Sequence, residues 1–181
     1  AGWGYMLLTN FLPNGGNGTY TIHAYAQDST GHETWLGQKT FNCDNANAIK
    51  PFGALDLPAQ GATVSGTAYI VGGWALTPQP NMIPIDGSTI MLWVNGLPVG
   101  HPSYNHYRDD IATLFPGLAN SNGAVGYYVL DTTTLANGIH SIAWSVTDDR
   151  GRSQGIGSRY FWVDNELAAG FSSNLHSRSD P

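Results

Sequence analysis

The chain has 181 residues and a formal net charge of −6 at pH 7, and charged side chains make up 11% of it. That fraction is less than half of the roughly 25% typical of soluble proteins. Because the balance is acidic and no run of Lys or Arg occurs, the sequence argues against nucleic acid and anionic membrane surfaces as partners. No apolar stretch reaches the roughly 18–20 residues of a membrane span, so membrane insertion is not expected.

An internal repeat with an offset of 120 residues relates the two ends of the chain. Residues 17–45 align without a gap to residues 137–165, and nine of the 29 aligned pairs are identical. Upstream, residues 4–8 (GYMLL) resemble residues 126–130 (GYYVL) with a shift of two. A fixed period indicates copies of one structural unit. The repeat therefore predicts a complete second unit over 46–165 and only the closing third of a first unit over 1–45.

Three strands are predicted in the first copy, at Trp3–Leu8, Thr19–Gln27 and Trp35–Cys43. With the rest of its sandwich missing, their common apolar face would be exposed together with unpaired strand edges, so something must cover it. The second unit, a neighbouring chain or an upstream segment could each do so. We expect a neighbouring chain or another copy of this one, which would build a head-to-tail filament. The face consists of Tyr20, Ile22, Ala24, Ala26, Leu36, Phe41 and Cys43.

The second unit is predicted to consist of strands between a linker at 46–58 and a polar, flexible tail at 166–181. Asn95-Gly96 is a turn dipeptide, and Asp109–Phe115 is the one segment with a helical pattern. The repeated segment 137–165 is typical of a β-hairpin. The other predicted strands are Ala62–Thr67, Tyr69–Leu76, Thr89–Val94 and Val125–Leu130.

About seven short strands in about 120 residues predict an all-β protein with a two-sheet antiparallel sandwich. Residues 58–76 (PAQGATVSGTAYIVGGWAL) resemble the opening strands of bacterial Ig-like (Big-type) tandem-repeat domains, and residues 130–151 (LDTTTLANGIHSIAWSVTDDRG) are similar to their penultimate strand and its hairpin. The resemblance implies an Ig-like fold in a secreted or cell-surface bacterial protein. Such modules act as spacers, adhesins and companions of carbohydrate-active enzymes. Residues 98–123 depart from the pattern as an insertion, where features particular to this protein are expected.

The insertion contains the densest polar cluster of the chain, between His101 and Asp110. A small glycoside or ester hydrolase could use Asp109 or Asp110 as the base and His106 as the acid. A metal on His101, His106 and one Asp fits no motif spacing, and neither a metal nor a cofactor is predicted. The structural alternative is that Asp109 caps the short helix while Arg108 pairs locally.

Aromatic side chains that the repeat turns outward are candidate ligand contacts. Phe161 matches Phe41 on the predicted core side, so its neighbours Tyr160 and Trp162 should face outward. Such a pair can stack on sugar rings or meet another protein, or a linker or a neighbouring copy can cover it. Trp93 likewise has the parity opposite to the core residues of its strand. The insertion adds Tyr104, Tyr107 and Arg108 as candidate contacts.

Two further features are expected to be structural. Asp148-Asp149-Arg150-Gly151 resembles a calcium loop, but Ser29 replaces Asp149 in the first copy, which favours a turn. Cys43, the only cysteine, aligns with Val163 and is expected to be a buried thiol, with a reactive thiol or an interchain disulfide as the alternative.

Three functions remain open at the level of sequence. The favoured one is a non-catalytic extracellular Ig-like module that acts as a spacer, an adhesin segment or an assembly subunit. The second is a carbohydrate-binding module that uses outward aromatics on a polysaccharide. The third is the small hydrolase with its site in the insertion.

Overall fold

The computed structural model describes residues 7–166, and the chain divides into two compact units between Ala48 and Ile49. No helix in this part of the chain is long and apolar enough to cross a membrane. The predicted strand Trp3–Leu8 and the predicted tail 166–181 lie almost wholly outside the described residues.

The first unit is built around one long hairpin. Strand β1 (Asn17–Gln27) pairs antiparallel with β2 (Glu33–Asp44), which confirms the two strands predicted there to within two residues at each end. An isolated two-stranded sheet is marginally stable in water, so the packing around the hairpin decides its stability. Short turns flank the hairpin at Thr9–Phe11 (3₁₀), Pro13–Gly16 (α1) and Asn45–Asn47 (3₁₀).

The second unit is an Ig-like antiparallel sandwich of two sheets. Its strands are β3 (Phe52–Leu57), β4 (Thr63–Val64), β5 (Tyr69–Leu76), β6 (Ile90–Val94), β7 (Leu97–Gly100), β8 (Ser103–His106), β9 (Val125–Leu130), β10 (Gly138–Thr147) and β11 (Ser153–Val163). One sheet has the order β4-β11-β10-β6-β7 and the other the order β3-β5-β9-β8. Paired strands are antiparallel except β4 and β11, which run parallel. Short helical segments lie at Asp109–Leu114 (α2), Ser121–Gly123 (3₁₀) and Thr132–Thr134 (3₁₀).

The core of the second unit lies between its two sheets, and the two-residue period of the strands decides which side chains enter it. Ile142, Trp144 and Val146 of β10 and Phe161 and Val163 of β11 are all buried. These are the core residues that the repeat predicts, so the predicted orientation of the hairpin is confirmed. The same cluster includes Leu55, Val71, Ile83, Ile90, Leu92, Tyr104 and Ile156.

The insertion 98–123 contributes strand β8 and most of β7 to the two sheets, and its remaining residues cover part of the outer face of the four-stranded sheet. The residue after α2, Phe115, packs with its ring centroid 5.2 Å from that of Trp74 on β5 and 5.3 Å from that of Phe52 on β3. Trp74 and Ile111 are buried as a result. The insertion therefore forms a second small core, which gives these residues a structural role.

Two predicted elements of the second unit are corrected by the structure. The predicted linker 46–58 contains strand β3, which pairs with β5 at the edge of its sheet. Only Gly53 and Leu55 of β3 are buried. An alternation of two buried residues, one of them a glycine, is too short to predict a strand from the sequence. The strand predicted at Ala62–Thr67 is reduced to the two residues of β4, because only Thr63 and Val64 have Cα partners on β11.

Candidate binding surfaces

The hairpins β1–β2 and β10–β11 share one register. Every Cα pair of β10–β11 is a Cα pair of β1–β2 displaced by 120 residues. Both registers shift by one residue at the same place, where Leu36 and Ile156 are the extra residues. Because a β-bulge is a specific feature of a strand pair, the repeat extends from the sequence to the backbone geometry.

Three side-chain arrangements are duplicated along with the register. Asp28 and Asp148 each accept hydrogen bonds from two backbone N–H groups of their own hairpin loop, at 2.9–3.0 Å. A threonine hydroxyl in the 3₁₀ turn before each hairpin donates a hydrogen bond to the asparagine that comes after the second strand of that hairpin. In each hairpin, a pair of rings also bridges the two strands. These pairs are Thr9–Asn45 and Thr132–Asn165, both at 2.9 Å, and Tyr20–Phe41 and His140–Phe161, with ring centroids 5.9 and 5.7 Å apart.

The inner face of β1–β2 is exposed within its unit, whereas its counterpart is buried. Ile22 is 43% exposed and its equivalent Ile142 is 1% exposed; Leu36 is 50% exposed and its equivalent Ile156 is 2% exposed. Cys43 is half-buried rather than buried, which corrects its expected state, because no second sheet lies over it within residues 7–48 of the first unit. We call this surface the closing face and define it as Tyr20, Ile22, Ala24, Ala26, Leu36, Phe41 and Cys43.

A second apolar surface lies on the outside of the sandwich, on β10 and β11. Tyr160 and Trp162 are 47% and 44% exposed, while Phe161 between them is fully buried, so their predicted outward orientation is confirmed. Ile139 stands directly opposite Trp162 in the register and is also exposed. Its parity on β10, opposite to that of Ile142, could have identified it from the sequence. We call Ile139, Tyr160 and Trp162 the outer strip.

The surroundings of the outer strip are partly polar. A hollow of about 430 Å³ beside Trp162 is lined by polar groups that include Asn137, Asp164 and Glu166. The ring of Tyr160 lies over the backbone of Gly61, so the loop before β4 supports the ring without covering it. The strip is therefore a flat apolar surface with hydrogen-bonding groups at one end.

Trp93 lies on the same outer face but is tied into the sheet. Its indole Nε1 donates to Ser145 Oγ at 2.8 Å, and the side chain is half-buried. On the first unit, Tyr25 and Trp35 stand opposite each other in the register and are both exposed. The outward aromatic side chains of the two units thus occupy different positions of the repeat. On the inner face, by contrast, Phe41 and Phe161 occupy the same position.

Arg108 is held between two carboxylates. Its Nε donates to Asp110 Oδ1 at 2.7 Å, and its Nη1 pairs with Asp56 of β3, which tethers the start of α2 to the sheet. The hydrogen bond from Arg108 lowers the pKa of Asp110. Local pairing of Arg108 is thus as expected, whereas Asp109 does not cap α2. Instead Asp109 accepts a hydrogen bond from the Tyr107 hydroxyl at 2.8 Å, which raises the pKa of Tyr107.

Among the described residues, His106 contacts Ser103 and Tyr127, and not the two carboxylates with which it was expected to form a catalytic pair. Its Nε2 lies 2.8 Å from Ser103 Oγ, and its ring centroid lies 5.3 Å from that of Tyr127. Within residues 7–166, no hydrogen bond joins His106 to Asp109 or Asp110. The structure therefore does not bring the predicted acid and base together, and their catalytic roles stay predictions.

Tyr104 and His101 serve the fold of the insertion. Tyr104 is buried, its hydroxyl donates to the Ala75 carbonyl at 2.7 Å, and burial raises its pKa to about 12. This corrects its candidacy as a ligand contact, because its ring belongs to the core. His101 Nδ1 lies 2.7 Å from the Ile90 carbonyl oxygen. In the described part of the chain, no three His, Cys, Asp or Glu side chains are grouped so as to hold a metal ion.

Asp148 anchors the loop between β10 and β11. Its carboxylate accepts the backbone N–H groups of Arg150 and Arg152 at 2.9 and 3.0 Å, the Arg152 Nε at 2.9 Å and the Thr77 hydroxyl at 3.3 Å. Burial by itself raises the pKa of Asp148, but the hydrogen bonds and the charge of Arg152 together hold it below its usual value. Both carboxylate oxygens are engaged within the protein, as a structural turn requires.

Comparisons with known proteins identify the fold class of this chain but no family. No protein-family model matches the chain, and no curated protein matches it. The endo-beta-1,4-mannanase from Thermotoga petrophila is 15% identical with a TM-score of 0.45, over 67% of this chain and 21% of that chain. The CbhA fibronectin(III)-like modules of Clostridium thermocellum are 15% identical with a TM-score of 0.36, over 91% of this chain and 68% of that chain.

The chain thus spans about a fifth of the mannanase chain, and neither likeness carries an argument about activity or ligands. The class rests on the strand order and register described above. The protein is an all-β protein with an Ig-like antiparallel sandwich, preceded by a hairpin equivalent to the closing hairpin of that sandwich.

Proposed function

We propose that the chain is part of a tandem array of non-catalytic, extracellular Ig-like units of the bacterial type and acts as a structural spacer in that array. The observation that carries the proposal is the duplicated hairpin. The strand register and the β-bulge recur at an offset of 120 residues, and both hairpins have an aspartate-anchored loop and a ring pair between the strands. Repeated units of one backbone geometry are the hallmark of arrays whose stability comes from each unit and its neighbours.

The second unit has a strand pairing suited to a spacer under tension. Its early strand β4 and its last strand β11 run parallel, so tension between the two chain ends pulls them in opposite directions along their length. Three backbone hydrogen bonds between the two strands are then loaded at the same time, instead of one after another, and together they oppose the separation of β4 from β11. These join Gly61 N–H to Tyr160 O at 2.8 Å, Trp162 N–H to Ala62 O at 2.8 Å and Asp164 N–H to Val64 O at 3.1 Å.

Single-molecule pulling on the full chain tests the spacer role. Cysteine handles at Ala59 and Glu166, in a Cys43→Ser background, place the β4–β11 pairing in shear. Handles at Ala136 and Glu166 instead unzip β10 from β11 at the open end of their hairpin. We expect the first geometry to need a clearly higher unfolding force, because forced unfolding follows the barrier of the bonds under tension. Equal forces in the two geometries would count against a spacer role.

A carbohydrate-binding module is the second candidate, and the outer strip is the observation that favours it. Aromatic faces stack on sugar rings, and the side chains of Asn137, Asp164 and Glu166 at the adjacent hollow could bond to sugar hydroxyls. Two exposed aromatic rings spaced two residues apart on β11 are on the scale of neighbouring sugars in an extended polysaccharide.

Affinity electrophoresis in gels containing soluble polysaccharides tests this second function. A binding module is retarded, and Trp162→Ala should abolish the retardation while the matched control Val129→Ala, an exposed side chain on the other sheet, should leave it unchanged. Retardation that survives Trp162→Ala, or none with any polysaccharide tried, removes the outer strip as a carbohydrate site.

A further inference from the structure

We infer that the closing face of the first unit is the docking surface for the opening strands of a further Ig-like unit, equivalent to residues 49–124 of this chain. The inference rests on the proposed tandem array and names the partner of its first unit. The closing face has the same backbone as the inner face of β10–β11, down to the position of the bulge. The structure therefore shows what kind of surface covers such a hairpin, because it contains one covered copy.

In the second unit, the hairpin β10–β11 is covered by a packed sheet and by a strand at each of its two edges. The inner face of β10–β11 packs on the sheet β3-β5-β9-β8, whose Leu55, Val71 and Tyr104 belong to the same buried cluster. The outer edge of β10 pairs with β6, and that of β11 pairs with β4. In the first unit as described, β1 and β2 pair only with each other. A partner that resembles residues 49–124 would supply the equivalents of β3, β5 and β8 of the missing sheet, together with the edge strands equivalent to β4 and β6.

A second copy of this chain is a poorer partner than a further unit. In every copy, strands β3 to β9 are already paired with or packed against their own β10–β11 hairpin. To offer them to the closing face, a copy would have to open its own sandwich and expose Trp144 and Phe161, which are 1% and 0% exposed. The exchange would replace a tryptophan by Ala24 in the core, so it loses apolar burial.

The difference between Ala24 in the first copy and Trp144 in the second indicates how the partner differs from residues 49–124. Trp144 lies against Gly73 and Gly126, which face each other across β5 and β9; a Cβ on either would stand 3.2 Å from its ring. Ala24 occupies the position of Trp144 in the first copy, and residue 4 aligns with Gly126 and is also glycine. We therefore expect the partner to carry a larger side chain at the position of Gly73, which would fill the space that Ala24 leaves.

The test joins residues 49–124 in front of residues 3–181, so that Trp3 takes the place of Val125 and the segment between it and the hairpin is two residues longer than in the second unit. Cys43, the only cysteine, reports on the closing face, because its equivalent Val163 is 2% exposed. In this extended chain, Cys43 should react with a chromogenic disulfide reagent at least about tenfold more slowly than in the original chain. Ala24→Trp in the extended chain restores a ring that fits the added Gly73 and Gly4, the sequence counterpart of Gly126, and should strengthen the protection.

Two matched variants separate docking from a general change in the protein. Phe41→Asp places a charge on the closing face and should return Cys43 to fast reaction, whereas Asn42→Asp, its outward neighbour, should leave the protection in place. The inference is overturned if Cys43 stays reactive in both the extended chain and its Ala24→Trp variant. It is also overturned if Cys43 of the original chain is protected in a dimer seen by sedimentation, since a second copy would then be the partner. The pulling experiment on the second unit does not involve β1 or β2, so either proposal can fail alone.

Discussion

Replacing Trp144 with alanine is expected to lower the free energy of unfolding of the second unit by about 3–5 kcal/mol. The side chain is 1% exposed, and its ring fills the space above Gly73 and Gly126. Neither glycine has a side chain that can move into the gap, so the cavity should persist instead of collapsing. Denaturant unfolding, followed by circular dichroism, measures the loss from the shift of the midpoint at constant slope.

Trp162→Ala is the matched control for this substitution. It removes the same side chain from the neighbouring strand β11, but Trp162 is 44% exposed on the outer strip. We expect a change of about 1 kcal/mol or less. Equal losses for the two variants would show that β10 and β11 are not oriented as the repeat predicts.

Replacing Asp148 with asparagine is expected to cost about 3 kcal/mol of unfolding free energy at pH 7. The buried carboxylate is the partner of Arg152 and of two backbone N–H groups, and an amide leaves part of this set unpaired. The equivalent Asp28→Asn in the first unit removes the same loop bonds from an exposed site and should leave the unfolding of the second unit unchanged. A loss of less than about 1 kcal/mol for Asp148→Asn would contradict this role.

The lowered pKa of Asp148 also gives its contribution a pH dependence of defined sign. A carboxyl group whose pKa is lower in the folded state stabilises that state when ionised. The contribution is therefore complete above the unfolded value of about 3.9 and is lost as the pH falls below it, through the folded value. The gap in stability between the native protein and Asp148→Asn should be constant from neutral pH to about pH 5 and should narrow in more acidic solution.

Much of the fold follows from the sequence because the repeat fixes the orientation of its strands. The identical Phe at 41 and 161 places Trp162 outside, and the alternation of Ile142, Trp144 and Val146 places Trp144 inside. Strand β3 escapes prediction because its alternation covers only two buried residues between Pro51 and Pro58. The role of the insertion also escapes prediction, since the packing of Phe115 on Trp74 joins residues 41 positions apart.

The candidate surfaces were predictable to different degrees. The closing face and the pair Tyr160 and Trp162 follow from the repeat, because aligned positions share a face. Tyr104 is misplaced by the sequence because it lies in a polar segment, whereas strand β8 turns it into the core, where it donates to Ala75. The contact of His106 with Ser103 depends on the local geometry of the insertion, which lies outside the repeated segments.

Amide hydrogen exchange on the intact chain tests the central claim most directly, namely that β1–β2 and β10–β11 are the same hairpin in an uncovered and a covered state. Each amide in one hairpin has an equivalent 120 residues away, so the chain contains its own control. We expect the amides of β10 and β11 to exchange only through global unfolding of the second unit, and their equivalents in β1 and β2 to exchange orders of magnitude faster through local opening. Equal protection of the equivalent amides in the monomeric chain would contradict the account.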